Sequence, residues 1–144
     1  MNGIQIEALL KRDPVTRKCF KGVLAADQLP RKLLSGLYVV NTDPIAKPGE
    51  HWVVFYKSAR GRVEFFDSYG HEPSYFHRYW KGKKYNRKRL QASKSSSCGL
   101  YCIYYSIHRC RGISMTKMLN IFNRDFNWND HYVEHFIKNH YKKL

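Results

Sequence analysis

A chain of 144 residues with 43% hydrophobic and 15% aromatic side chains can close one core, is short for two, and is too apolar to stay disordered. Its 26 Lys and Arg against 11 Asp and Glu give a net charge of +15, with no acidic residue from Pro73 to Arg124, a field that attracts a polyanion, most simply nucleic acid. No stretch reaches the roughly 18 apolar residues that span a bilayer, and the amino terminus lacks a secretory pattern, so neither a membrane nor secretion is expected.

In chain order, Met1 to Lys11 reads as a short amphipathic helix with Ile4, Ile6, Leu9 and Leu10 as its apolar positions. It should stop near Arg12, because Pro14 disfavours helical geometry in the residue before it. Cys19 to Gln28 reads as irregular, and Pro30 opens the next segment. Leu33 to Asn41 is a strand, followed by turn signals at Thr42-Asp43-Pro44 and Lys47-Pro48-Gly49. His51 to Tyr56 and Val63 to Asp67 are aromatic and β-branched, with Ser58-Ala59-Arg60-Gly61 as a hairpin-like connection. Pairing them antiparallel sets His51, at the start of one strand, beside Asp67, at the end of the next.

Tyr69 to Trp80 is aromatic, with helix as one option, and Lys81 to Lys94 holds one exposed strand or loop among its dense Lys and Arg. At Cys98 the pattern becomes helical: Leu100, Ile103, Tyr104 and Ile107 recur at three- and four-residue spacing, and Gly112 stops the run. Met115 to Phe126 and Asp130 to Lys142 read as two further amphipathic helices, the last burying Tyr132, Val133, Phe136, Ile137 and Tyr141. The expected architecture is one α+β domain over residues 1–144. A central mixed or antiparallel sheet is flanked by helices.

The four cysteines make a poor disulfide framework, since Cys98, Cys102 and Cys110 share one helix and Cys19 is remote in sequence. Reduced thiols in an intracellular setting are expected. No metal is expected either. Cys98 and Cys102 share a helix face, but His108 and Cys110 fall roughly 80° to 120° away from Cys102 at 3.6 residues per turn, and the paired loops of a zinc ribbon are missing.

Four residues carry chemistry: His51, Asp67, Gln91 and Cys98. Cys98 stands where the polar loop Ser95-Ser96-Ser97 enters a helix, and the positive end of the helix favours a thiolate. His51 is the base and Asp67 the group that orients it. Gln91, with the backbone N–H of Cys98, is the donor set for an oxyanion. Glu64 competes with Asp67, but strand alternation puts the two on opposite faces, and Asp67 ends the strand. Gly99 suits close approach of substrate or of a neighbouring chain segment. Cys102 and Cys110 read as small hydrophobes, and His71, His77, His108, His131, His135 and His140 as surface or packing residues.

These residues resemble those of the adenovirus endopeptidase (adenain-like) family, whose relatives occur in adenovirus-like viruses and viral-type DNA transposons. The wider clan includes SUMO-specific and ubiquitin-like proteases. The resemblance lies in Leu37-Tyr-Val-Val-Asn-Thr, Gly49-Glu-His-Trp-Val-Val-Phe, Phe65-Phe-Asp-Ser-Tyr-Gly, and Gln91 followed seven residues on by Cys98-Gly-Leu-Tyr-Cys. It implies a cysteine endopeptidase with His51, Asp67 and Cys98 as triad and Gln91 in the oxyanion hole. Cys98 would start the central helix.

The same resemblance implies cleavage of viral or transposon structural precursors near Gly during virion maturation, in the host nucleus and virion. Trp52 would be a wall of the substrate cleft or, equally, a core aromatic. DNA is the implied activating partner, bound without sequence preference by Arg78, Lys81, Lys83, Lys84, Arg87, Lys88 and Arg89. A peptide activator is a further option, but no cysteine lies between Cys19 and Cys98 to bond it covalently. No cofactor is required for the chemistry, and a monomer is expected. Two other readings are a protease acting on ubiquitin or SUMO tails and a non-catalytic basic DNA-binding or packaging protein.

Overall fold

The computed structural model describes residues 1–47, 49, 51–82, 84–93 and 95–144. Pro48 and Glu50 of the predicted turn, and Lys83 and Lys94 of the basic run, lie outside the described residues. Five strands form one mixed sheet in the order β1 (Phe20–Leu24), β2 (Gly36–Asn41), β3 (Trp52–Lys57), β4 (Val63–Phe66), β5 (Lys84–Tyr85). The outer pairs β1·β2 and β4·β5 are parallel, and the inner pairs β2·β3 and β3·β4 are antiparallel. The helices are α1 (Gly3–Arg12), α2 (Pro14–Cys19), α3 (Cys98–Cys110), α4 (Met115–Leu119) and α5 (Phe126–Lys142). The architecture is α+β, a mixed sheet flanked by helices, with Cys98 as the first residue of α3.

Strand alternation sends Val39, Val54 and Phe66 to one face, where they pack with Ile6 and Leu10 of α1, Tyr101 and Tyr105 of α3, and Val133 and Ile137 of α5. Val40, Val53, Phe55 and Phe65 point the other way, under Leu33 and Trp80. Glu64 shares the α3 face, where it accepts from Tyr105 Oη and pairs with Arg109 at 3.0 Å. That contact removes it from competition with Asp67. The apolar runs of β2 to β4 thus determine which polar groups are left at the strand ends.

Four expectations change. Asp13 caps α2 through Val15 N–H, with Pro14 at its first position, so the chain turns into a second helix where only a stop was read. Phe20–Leu24 is a strand, although Cys19 to Gln28 reads as irregular; exposed Lys21 and a bulge between Phe20 and Gly22 interrupt its alternation. Tyr69 to Trp80 is loop with a single 3₁₀ turn at Pro73–Tyr75, because Gly70 takes a positive φ of 80° and Pro73 breaks any longer helix. The segment from Met115 is helical only to Leu119, where Lys88 Nζ takes the carbonyls of Leu119 and Phe122 at 3.1 and 2.5 Å.

Two smaller corrections concern α1 and α5. Ile4 is 80% exposed, leaving Ile6 and Leu10 as the buried positions of α1. The last helix starts at Phe126, capped by Asp125 on Trp128 N–H, with Val133, Ile137 and Tyr141 buried as read. Among the described residues no helix is long and apolar enough to cross a membrane.

Candidate active site

The site lies where β3 begins, β4 ends and α3 starts. In the β3·β4 register Val54 faces Phe66, so His51 and Asp67 fall just beyond the same end of the hairpin. Thr42 N–H holds the His51 carbonyl at 2.8 Å, anchoring that residue to the end of β2. His51 Nε2 donates to Asp67 Oδ1 at 2.5 Å, which leaves Nδ1 as the ring nitrogen available to the Cys98 thiol. The ring is nearly buried, with Tyr69 and Phe76 at centroid distances of 5.2 and 5.8 Å.

Asp67 is fully buried, yet its carboxylate is saturated with donors. Oδ1 takes His51 and the Tyr69 N–H, and Oδ2 takes the main-chain N–H and Nδ1–H of His71 at 3.1 and 3.0 Å. Asn86 fixes the main chain of Asp67 from both sides, accepting from its N–H and donating to its carbonyl. Gly70 closes the turn by donating to the Asp67 carbonyl. A Cβ there would stand 2.8 Å from the Arg87 carbonyl, so only glycine lets the two loops meet.

Electrostatics couple the three groups. Burial works against the charged form of His51, but Asp67 and Cys98 outweigh it and push the imidazole up to about 9. Burial likewise opposes a carboxylate at Asp67, and the hydrogen bond and charge of His51 with two backbone N–H groups hold it below its ordinary value. Cys98 follows the same pattern. Burial raises its thiol, while His51 and the main-chain N–H groups of Trp52 and Gly99 lower it further than burial raises it. The His51 contribution to stability is therefore complete below the ordinary imidazole value and is lost as pH rises through about 9. The arrangement can hold a thiolate beside an imidazolium.

Gln91 is 1% exposed and borders the same cleft. Ser68 Oγ donates to its Oε1 at 2.5 Å, which turns Nε2 toward Ser95 O and Oγ, both at 2.9 Å. Leu90 and Gln91 N–H groups both bond the Ser68 carbonyl, while Asn129 and Asp130 at the start of α5 hold Leu90 O and Ala92 N–H. The amide is thus aimed at the loop that precedes Cys98, and an oxyanion must displace Ser95 to use it.

The cleft has a volume of about 1010 Å³ and is bordered by Trp52, Tyr75 and His77 as well as by His51, Gln91 and Cys98. Half-buried Trp52 borders the cleft and packs against the core, and its Nε1 donates to Met1 O at 3.3 Å. Gly99 is buried, and a Cβ there would meet Met1 and Ile6 at 3.3 to 3.4 Å, so a neighbouring segment of the chain approaches it closely. His71, expected as a surface or packing residue, stacks on Tyr75 and also bonds Asp67. Asn86, Ser68 and Ser95 escaped the sequence reading as well, since no motif marks a residue that holds another.

Among the other thiols, Cys102 is buried and pushed well above its usual value. Cys110 keeps its proton and hydrogen-bonds Cys19, which is lowered by that bond. All four cysteines are free. Among the described residues no group of three or more His, Cys, Asp or Glu is arranged to hold a metal ion.

The basic residues divide. Arg78, Lys81, Lys84, Arg87 and Lys88 are exposed, whereas Arg89 is half-buried. Lys88 is tied to two carbonyls, and Arg89 lies 4.2 Å over the Phe126 ring and bonds Gln91 O and Ser93 Oγ. Lys84 reaches Thr116 Oγ1 at 3.5 Å, and Arg87 sits over the Tyr85 ring at 5.0 Å. Lys83 lies outside the described residues.

Against solved structures, the ASFV pS273R protease aligns over 91% of this chain and 66% of its own, with a TM-score of 0.54 and 18% identity. The chain has the fold of that protease. It spans less than two thirds of that protein's length. No protein-family model matches the sequence, and no curated protein does.

Proposed function

We propose that the chain is a cysteine endopeptidase that cleaves viral or transposon structural precursors near Gly. The observation that carries this reading is the His51 ring, bonded to buried Asp67 through Nε2 and close enough to Cys98 for each to shift the other's titration, with the thiol at the first turn of a helix and lining an open cleft. A fold shared with a viral protease supports the same class. Cys98 Sγ⁻ attacks the acyl carbon, the carbonyl electrons move to oxygen, and the C–N bond then breaks as His51 Nδ1–H protonates the leaving amine. Water, losing a proton to His51, next hydrolyses the thioester and returns the thiol. The Cys98 N–H and the Gln91 amide, once released from Ser95, receive the developing oxyanion.

Fluorogenic peptides carrying Gly-Gly, with ubiquitin- and SUMO-derived substrates alongside, test the reading. Hydrolysis of the peptides with little turnover of the ubiquitin-like substrates is the expected result. Turnover of the latter alone would reassign the substrate, and no hydrolysis of any would contradict the peptidase. Gln91→Ala should lower kcat about 10²- to 10³-fold with little change in KM. Equal kcat in both proteins would remove Gln91 from the oxyanion hole.

DNA is proposed as an accessory partner, supported by the charge of +15 and by the exposed Arg78, Lys81, Lys84 and Arg87. Affinity for duplex DNA should fall steeply with salt through counterion release and be indifferent to base sequence. An affinity that hardly changes between 50 and 200 mM salt, roughly the range over which multi-phosphate contacts lose orders of magnitude, would contradict it.

A further inference from the structure

We propose that His71 is a positioning residue that acts through Asp67 to set how His51 is held and how fully Cys98 is ionised. The inference deepens the peptidase reading and rests on it. One carboxylate faces two imidazoles: His51 Nε2 on Oδ1 at 2.5 Å, and His71 Nδ1 on Oδ2 at 3.0 Å. The main-chain N–H of His71 adds a second bond to Oδ2, so both ends of that contact come from one residue. With Oδ2 held twice, the carboxylate cannot rotate about its Cβ–Cγ bond without breaking two hydrogen bonds, and Oδ1 stays aimed at His51. Preorganisation of this kind matters because an orienting group misplaced by about 1 Å can cost orders of magnitude in rate.

His71 is itself held. Its ring lies flat on Tyr75, with centroids 3.9 Å apart and planes 5° from parallel, and Phe76 meets it edge-on at 5.9 Å. The bond to Asp67 occupies Nδ1, and the side chain borders the cleft at 39% exposure. The titratable groups that face His71 among the described residues are Asp67, with His51 beyond it, and the phenols of Tyr69 and Tyr75. An exposed imidazole that merely packs against a tyrosine would not need its Nδ1 on a buried carboxylate.

The test compares the intact protein with His71→Ala and His71→Asn. An Asn side chain can put an N–H near where Nδ1 stood, without the ring. Two readouts are used. The pH dependence of iodoacetamide modification at Cys98, followed by peptide mapping, reports ionisation without any substrate. Hydrolysis of a Gly-Gly fluorogenic peptide separates kcat from KM. In His71→Ala the alkaline step that reports loss of the His51 proton should move to lower pH by about half a unit or more. Its kcat should fall about tenfold with KM nearly unchanged. His71→Asn should restore most of both.

An alanine variant with the unaltered alkylation profile and kcat would overturn the proposal. So would an asparagine variant no better than alanine in a protein that melts like the original. An intact protein in which Cys98 shows the ion-pair profile but cleaves nothing would defeat the peptidase reading alone, and the alkylation comparison would still decide His71.

Discussion

Cys98→Ala is expected to abolish peptide hydrolysis, a loss of roughly four to six orders of magnitude in kcat, while leaving the fold intact. Among the described residues of the cleft, this sulfur is the thiol that an imidazole and two main-chain N–H groups shift toward the ionised form. Cys102, one turn along, is sealed in the core and kept protonated, so it cannot substitute. Alanine is a better helix former than cysteine and leaves the first turn of α3 undisturbed. The check is kcat/KM on a Gly-containing peptide beside a thermal melt. A variant retaining activity within tenfold of the original would show that another group performs the attack.

Asp67→Asn is the second large effect. The side chain is fully buried, and its two oxygens accept from His51, Tyr69 N–H and both donors of His71. An amide replaces one of those oxygens with an NH₂ group that faces donors, so at least one donor loses its partner, at a cost of about 1–3 kcal/mol in stability. His51 also loses the negative charge that raises it, and its proton then leaves below about 9. With the imidazole no longer oriented or charged, kcat should drop by roughly 10²- to 10⁴-fold. The melt and the pH profile together check this. Asp67→Asn with an alkaline limb still at the original pH and an unchanged kcat would mean that the carboxylate plays no part in holding His51.

The hairpin that brings His51 to Asp67 was legible because β3 and β4 are unbroken apolar and aromatic runs separated by a turn signal, and register follows from that pattern. The same holds for α3, whose three- and four-residue spacing begins at Cys98. Less visible were elements whose stability comes from tertiary partners. Strand β1 carries an exposed Lys21 and a bulge, and pairs with β2 only once the eleven intervening residues have folded back. Asp13-Pro14 is a start signal for α2 that reads equally well as the end of α1; the buried Asp13 also binds Arg111 and His140 from distant elements.

The support of the site was illegible for a similar reason. Asn86, Ser68 and Ser95 are ordinary polar residues until the loops meet, and His71 is one of seven histidines. Nothing in its sequence neighbourhood separates it from His77, which bonds the carbonyl of Thr42 instead.

The most direct measurement is the rate of Cys98 alkylation across the pH range, read at that residue by peptide mapping so that Cys19 does not contribute. An imidazolium-bound thiolate gives a first rise below the usual thiol value and then a plateau. A second step follows near about 9, where His51 loses its proton. One titration step at the ordinary cysteine value of about 8.5, with no plateau beneath it, would contradict the ion pair on which the proposed chemistry depends.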